Sequence, residues 1–139
     1  MEYTPVKSGE TKVLAWGEAS PALATFNLGN EFAIAAFNVA TKTAGLTRNT
    51  DKKTLNHFLN SLLPSDNLLL RPVLEIRIMG GDADMASENQ LKEILMLIST
   101  FDAGRDLIRI ASADVCGKPC PHSFKIRCSD GLVEAIDSV

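Results

Sequence analysis

The 139-residue sequence has few aromatic residues and no excess of basic ones. Phe, Tyr and Trp together make up 6% of the chain, too few to build the stacking surface that single-stranded nucleic acids need. The formal net charge is −3, with 14 Lys and Arg against 17 Asp and Glu. Such a surface does not attract phosphate backbones or anionic lipids, so the composition predicts no nucleic-acid partner.

Long apolar segments are absent as well. The longest uninterrupted apolar run, from Phe32 to Phe37, has six residues. A transmembrane helix needs about 20, so the sequence predicts no membrane insertion. The first seven residues contain no apolar stretch of the kind found in a signal peptide.

Cysteine is scarce, and all three copies lie beyond residue 115. An odd number cannot close a complete disulfide framework, which favours a reducing, cytoplasmic compartment. With His122, the three thiols of Cys116, Cys120 and Cys128 suggest either a zinc site or a Cys–His nucleophile pair. An extended segment would hold His122 and Cys128 about 20 Å apart, too far for one tetrahedral ion. We therefore expect small buried cysteines, with no bound metal and no cofactor.

Apolar residues are plentiful, at 45% of the chain, which is enough for one hydrophobic core. No repeat, linker or low-complexity stretch divides the sequence. We predict a single domain over residues 1–139, in which the polar residues 1–11 are loosely held.

Two segments repeat apolar residues at helical spacing, one from Leu55 to Leu63 and one from Leu91 to Phe101. Thr50 is the predicted N-cap of the first helix, and Ser87 that of the second. Short β-strand candidates surround them, at residues 13–16, 22–28, 32–38, 42–47, 73–79, 107–111, 122–128 and 132–136. This order predicts an α/β fold, a layered sandwich of mixed β-sheets with two main helices.

Carboxylates mark two further places with candidate chemistry. Asp82 and Asp84 follow the diglycine Gly80–Gly81 and could offer oxygen ligands to a divalent cation. Acidic residues before a helix also stabilise its N-terminus, which is the simpler interpretation. Glu31 directly precedes the longest apolar run, where it is either a candidate general base or the solvent-facing start of a strand.

Four short motifs follow one another between residues 13 and 136. They are Thr25-Phe26-Asn27-Leu28-Gly29-Asn30-Glu31, the stretch 39–49 with Ala44-Gly45-Leu46, Met79-Gly80-Gly81-Asp82-Ala83-Asp84-Met85, and Ile110-Ala111-Ser112-Ala113-Asp114-Val115-Cys116-Gly117 with Asp130-Gly131-Leu132-Val133. Their order, and the helices between them, resemble the CheD family of chemoreceptor glutamine deamidases of bacterial chemotaxis.

The resemblance implies a layered α/β fold with a Cys–His–Thr catalytic set. In that family a thiolate attacks the side-chain amide of a receptor glutamine, the histidine transfers protons, and ammonia leaves. Here Thr25 matches the family threonine, whereas Glu31 stands at the cysteine position. Asn49 stands at the histidine position, or Arg48 does if the register is one residue shorter.

These replacements remove two of the three catalytic roles. Glutamate cannot form the thioester of the thiol route, and neither Asn nor Arg exchanges protons near neutral pH as imidazole does. We therefore predict a CheD-like protein that has lost deamidase activity and keeps a binding or regulatory role. The resemblance implies a chemoreceptor or a CheC-type phosphatase as its protein partner.

Two alternatives stay open at this point. Cys116 or Cys120, together with His122, could have moved into the same pocket and preserved an amidase activity. The chain could also be an unrelated α/β domain with a structural metal site.

Overall fold

The computed structural model describes residues 3–15, 22–26, 28, 30–63, 73–115 and 123–136. Within these ranges the chain forms nine β-strands and two α-helices. The helices are α1 (Lys52–Leu62) and α2 (Met85–Asp102). The strands are β1 (Thr4–Pro5), β2 (Thr11–Ala15), β3 (Ala22–Thr25), β4 (Phe32–Asn38), β5 (Thr43–Thr47), β6 (Leu74–Gly80), β7 (Ile108–Val115), β8 (Phe124–Arg127) and β9 (Val133–Ala135).

The strands form two mixed sheets. The larger sheet has the order β2-β5-β4-β6-β7, and the smaller one has the order β1-β3-β8-β9. The β6–β7 and β1–β3 pairs are parallel, while the remaining pairs are antiparallel. The predicted α/β class, with mixed sheets and two main helices, is confirmed.

Strand β4 runs through the middle of the core and is buried along its whole length. Ile34 and Ala36 pack in a cluster with the apolar faces of α1 and α2. Ala33 and Ala35 point the other way and pack against residues of the smaller sheet. The continuous apolar run in the sequence is thus explained by a strand covered on both faces, helices on one side and a second sheet on the other.

The predicted N-cap of α1 is wrong by one position, and that of α2 is wrong by three. The N-cap of α1 is Asp51 rather than Thr50, and its side chain accepts a hydrogen bond from the Thr54 amide at 2.8 Å. The N-cap of α2 is Asp84, which accepts from the Ser87 amide at 2.7 Å. A carboxylate is a charged acceptor, so it suits the positive end of a helix well. Asp84 therefore has the helix-capping role that the sequence offered as the simpler interpretation.

Neither α1 nor α2 is both long enough and apolar enough to cross a membrane, and the described ranges contain no other helix.

Candidate functional site

Three chain segments meet at one end of the two sheets. Thr25 is the last residue of β3, Glu31 directly precedes β4, and Arg48 directly follows β5. Because β4 and β5 are antiparallel neighbours, with Ile34 opposite Thr47, the start of one lies beside the end of the other. Stacking of the smaller sheet then brings the end of β3 to the same place. These three residues are called the site cluster below.

The guanidinium of Arg48 joins the site cluster together. Its Nη2 forms an ion pair with Oε2 of Glu31 at 3.0 Å. Its Nη1 donates to the Phe26 carbonyl oxygen at 2.8 Å and to Oγ1 of Thr25 at 3.3 Å. The side chain of Arg48 is only 5% exposed, whereas that of Glu31 is 39% exposed. The cluster is therefore a buried cation with a carboxylate at its solvent side.

The Thr25 hydroxyl is engaged on both sides. It donates to the carbonyl oxygen of Val6 at 2.7 Å and accepts from Arg48. Thr25 is completely buried, so its hydroxyl is an internal connector in this arrangement.

The diglycine at the end of β6 sets the position of the Glu31 backbone. The Gly81 amide donates to the Glu31 carbonyl oxygen at 3.2 Å, and the Glu31 amide donates to that of Leu28 at 3.0 Å. Gly80 has a φ of +108°, and a Cβ atom at this residue would overlap the Glu31 carbonyl oxygen. Glycine is therefore required here both for backbone conformation and for close approach. No local pattern in the sequence predicts this contact between the diglycine and Glu31, because the two lie about fifty residues apart.

Asn49 is the residue that the resemblance aligns with the family histidine in the longer register. Among the residues that the structure describes, its hydrogen bonds go to Thr47 and Asp51 and not to Thr25 or Glu31. Its side-chain oxygen accepts from the Asp51 amide at 3.1 Å, and its own amide donates to Oγ1 of Thr47 at 3.0 Å. It thus shapes the turn into α1. Of the two candidates, the structure brings Arg48 to the site cluster.

An N-terminal segment, residues 4–10, lies over the site cluster. Thr4–Pro5 pairs in parallel with β3, and Val6 is 2% exposed. Ser8 donates its hydroxyl to Oε1 of Glu31 at 2.8 Å. The polar composition of this stretch predicts a loosely held terminus and gives no sign of these contacts. No local motif marks Ser8, because its partner is 23 residues away in the chain.

The remaining predicted residues divide into two groups. Cys116, Cys120 and His122 lie outside the described residues. Cys128 is completely buried just after β8, as expected for a small apolar cysteine. In the part of the chain that the structure describes, no group of three or more His, Cys, Asp or Glu side chains could hold a metal ion.

The site cluster lacks the parts of a thiol-based catalytic set. The guanidinium of Arg48 offers hydrogen-bond donors and no acceptor, so it does not replace an imidazole as a general base. Glu31 is bound to this cation and to Ser8, and Thr25 donates its proton to a backbone carbonyl. The arrangement can fix neighbouring backbone and bind polar groups, but these three side chains do not supply a thiolate and an imidazole.

No protein-family model matches this sequence. An uncharacterized protein of Rickettsia conorii is 27% identical to it over 70 residues, which make up 50% of this chain and 93% of that protein. This similarity links half of the chain to a protein without an assigned activity.

Proposed function

We propose that this chain is a CheD-like domain that has lost glutamine deamidase activity and acts as a binding component of chemotaxis signalling. The observation that carries the proposal is the ion pair between Glu31 and Arg48 beside the buried Thr25 hydroxyl. The resemblance assigns the nucleophile and threonine roles to Glu31 and Thr25. In the shorter register it assigns the histidine role to Arg48, so the ion pair stands where a thiol and an imidazole would have to meet.

The chemistry of this replacement supports inactivity. A deamidase of this kind needs a thiolate to attack the amide carbon and a nearby imidazole to protonate the departing ammonia. Glu31 and Arg48 instead satisfy each other at 3.0 Å, with the guanidinium almost fully buried. A substrate amide would have to displace this ion pair, and the groups exposed by doing so would not catalyse its hydrolysis.

The proposed partner is a protein. The resemblance favours a chemoreceptor or a CheC-type phosphatase, and a net charge of −3 disfavours nucleic acid. Both partners are proposals that a binding measurement can separate.

The direct test is a deamidation assay on the purified full chain. The chain is incubated with a chemoreceptor fragment that carries glutamine at its modification sites, and peptide mass spectrometry follows conversion of amide to carboxylate. We expect no conversion, together with measurable binding to the receptor fragment or to a CheC-type phosphatase.

A matched variant, Cys116→Ser/Cys120→Ser/Cys128→Ser, separates the contrary outcomes. Conversion by the wild type that disappears in this variant would establish a relocated thiol in place of the inactive protein. Conversion by the triple Cys→Ser variant would contradict both the loss of activity and the relocated thiol. Absence of binding to either partner would refute the binding role.

A further inference from the structure

Each member of the site cluster makes a hydrogen bond to the N-terminal segment. Oγ1 of Thr25 donates to the Val6 carbonyl oxygen at 2.7 Å. Oε1 of Glu31 accepts from Ser8 at 2.8 Å, and the Arg48 amide donates to the Glu10 carbonyl oxygen at 2.9 Å. Residues 6–10 thus form hydrogen bonds with all three residues of the site cluster.

The segment is bound as a peptide strand would be. Thr4–Pro5 forms the edge of the smaller sheet, and the Val6 amide donates to the Ala24 carbonyl oxygen at 2.7 Å. The Val6 side chain is buried in the core between the two sheets. Main-chain pairing at a sheet edge together with a buried side chain is the arrangement found in peptide recognition by β-augmentation. The Ser8 hydroxyl on Glu31 adds a polar contact to this arrangement.

The remainder of the segment is mostly exposed. Lys7, Ser8 and Gly9 lie at the surface in a turn that is closed by its own hydrogen bonds between Lys7 and Glu10. Further contacts come from the Tyr3–Phe26 ring pair and from Lys12, which donates to the Pro5 carbonyl oxygen. A two-residue edge strand with one buried side chain opens locally at lower free energy than a central strand such as β4.

We propose that residues 4–10 are an intramolecular occupant of a peptide-binding groove at the site cluster. An extended segment of a partner protein, with a branched apolar residue followed two positions later by Ser or Thr, competes for the same groove. This inference rests on the proposed binding function and states which partner chemistry it accepts. By linkage, the apparent association constant for such a peptide equals the intrinsic one multiplied by the fraction of molecules in which the groove is open.

The test uses the full chain and a labelled peptide with the sequence of residues 3–10, YTPVKSGE. Val6→Ala and Ser8→Ala each weaken the intramolecular segment without changing the groove. Val6→Ala is expected to lower the apparent Kd for the peptide about ten-fold, because it removes buried apolar contacts. Ser8→Ala is expected to lower it about three-fold, because the hydrogen bond that it removes is exposed. Lys7→Ala is the matched control within the same turn and should bind as the wild type does.

A second peptide, in which Asp replaces the Val and Ala replaces the Ser, reports on specificity and should not bind. If Val6→Ala and Ser8→Ala melt cooperatively but bind the first peptide no better than the Lys7→Ala variant, the proposal is overturned. Equal binding of both peptides would overturn it as well.

Hydrogen exchange gives an independent measurement. The Val6 and Arg48 amides, bonded to Ala24 and Glu10, should exchange together and ahead of the β4 amides, and faster still in the Val6→Ala chain. Exchange only through global unfolding would show a permanent strand and no groove. The deamidation assay tests the proposed function separately. Conversion of glutamine would contradict the loss of activity but would not change the expected binding of the labelled peptide.

Discussion

Replacing Arg48 with Met removes the buried guanidinium that holds the site cluster together. The Phe26 carbonyl oxygen loses a charged donor at 2.8 Å, and such a bond is worth about 1.5–3 kcal/mol. The pair with Glu31 adds about 1 kcal/mol or less, because that carboxylate is 39% exposed and water can replace the lost partner. We expect Arg48→Met to lower the free energy of unfolding by about 2–4 kcal/mol.

The complementary change, Glu31→Gln, keeps the shape and the hydrogen-bond acceptor but removes the negative charge that faces Arg48. The side chain of Arg48 is 5% exposed. The cost should therefore lie between that of an exposed and that of a buried pair, at about 1–2 kcal/mol. In the double variant Arg48→Met/Glu31→Gln the buried cation is gone, so removing the charge of Glu31 no longer leaves it without its anion. The loss in the double variant should be smaller than the sum of the single losses by about 1 kcal/mol.

The assay is urea unfolding at neutral pH, followed by circular dichroism and compared at constant m-value. The Glu75–Arg109 pair is a matched control, because it has a similar distance of 3.2 Å but an Arg side chain that is 59% exposed. Its cycle of Glu75→Gln and Arg109→Met should show a coupling below about 0.5 kcal/mol. Equal, near-zero coupling in both cycles would refute the view that the ion pair stabilises the site cluster.

Three other predictions follow from the fold. Gly80→Ala should lower the free energy of unfolding by at least about 1 kcal/mol more than Gly104→Ala does. Both glycines have a positive φ, but only at Gly80 would the new Cβ overlap a backbone atom. Equal losses in the two variants would contradict this. Gly45→Ala should lower the free energy of unfolding by about 1–3 kcal/mol, because the new Cβ would lie 2.7 Å from Phe58 Cε1. Adding Phe58→Leu should recover part of that loss. Purely additive losses in the double variant would argue against the steric cause. The hydrogen bond from a first-turn backbone amide lowers the pKa of Asp51 below its usual 3.8. Its stabilising effect is therefore complete above that value and is lost as the pH falls through the lower native pKa. The difference in unfolding free energy between the wild type and Asp51→Asn, measured in urea across the acid range, should shrink as the pH falls, and a constant difference would contradict this.

Local periodicity was enough to predict the secondary structure of most of the described chain. Both helices and the hairpin from β4 to β5 are confirmed, because apolar spacing reflects which face of each element is buried. The N-caps were less predictable. Adjacent Thr50 and Asp51 are both residue types that favour capping, and the helix begins at Lys52, so Asp51 takes that role.

Assembly of the site cluster depends on the tertiary structure. Sequence motifs identified Thr25 and Glu31, but left Arg48 and Asn49 as alternatives. Directly after β5, the Arg48 side chain contacts Thr25 of the smaller sheet. The next residue, Asn49, lies in the turn before α1, where it accepts a hydrogen bond from the Asp51 amide.

The amino-acid sequence by itself determined the α/β class and the two helices. Those features depend on residue identity and on spacings of a few residues. Only the tertiary structure decided that Glu31 and Arg48 form an ion pair and that residues 4–10 lie over them. These contacts join residues about twenty positions apart and arise where two stacked sheets end together, so no local pattern encodes them.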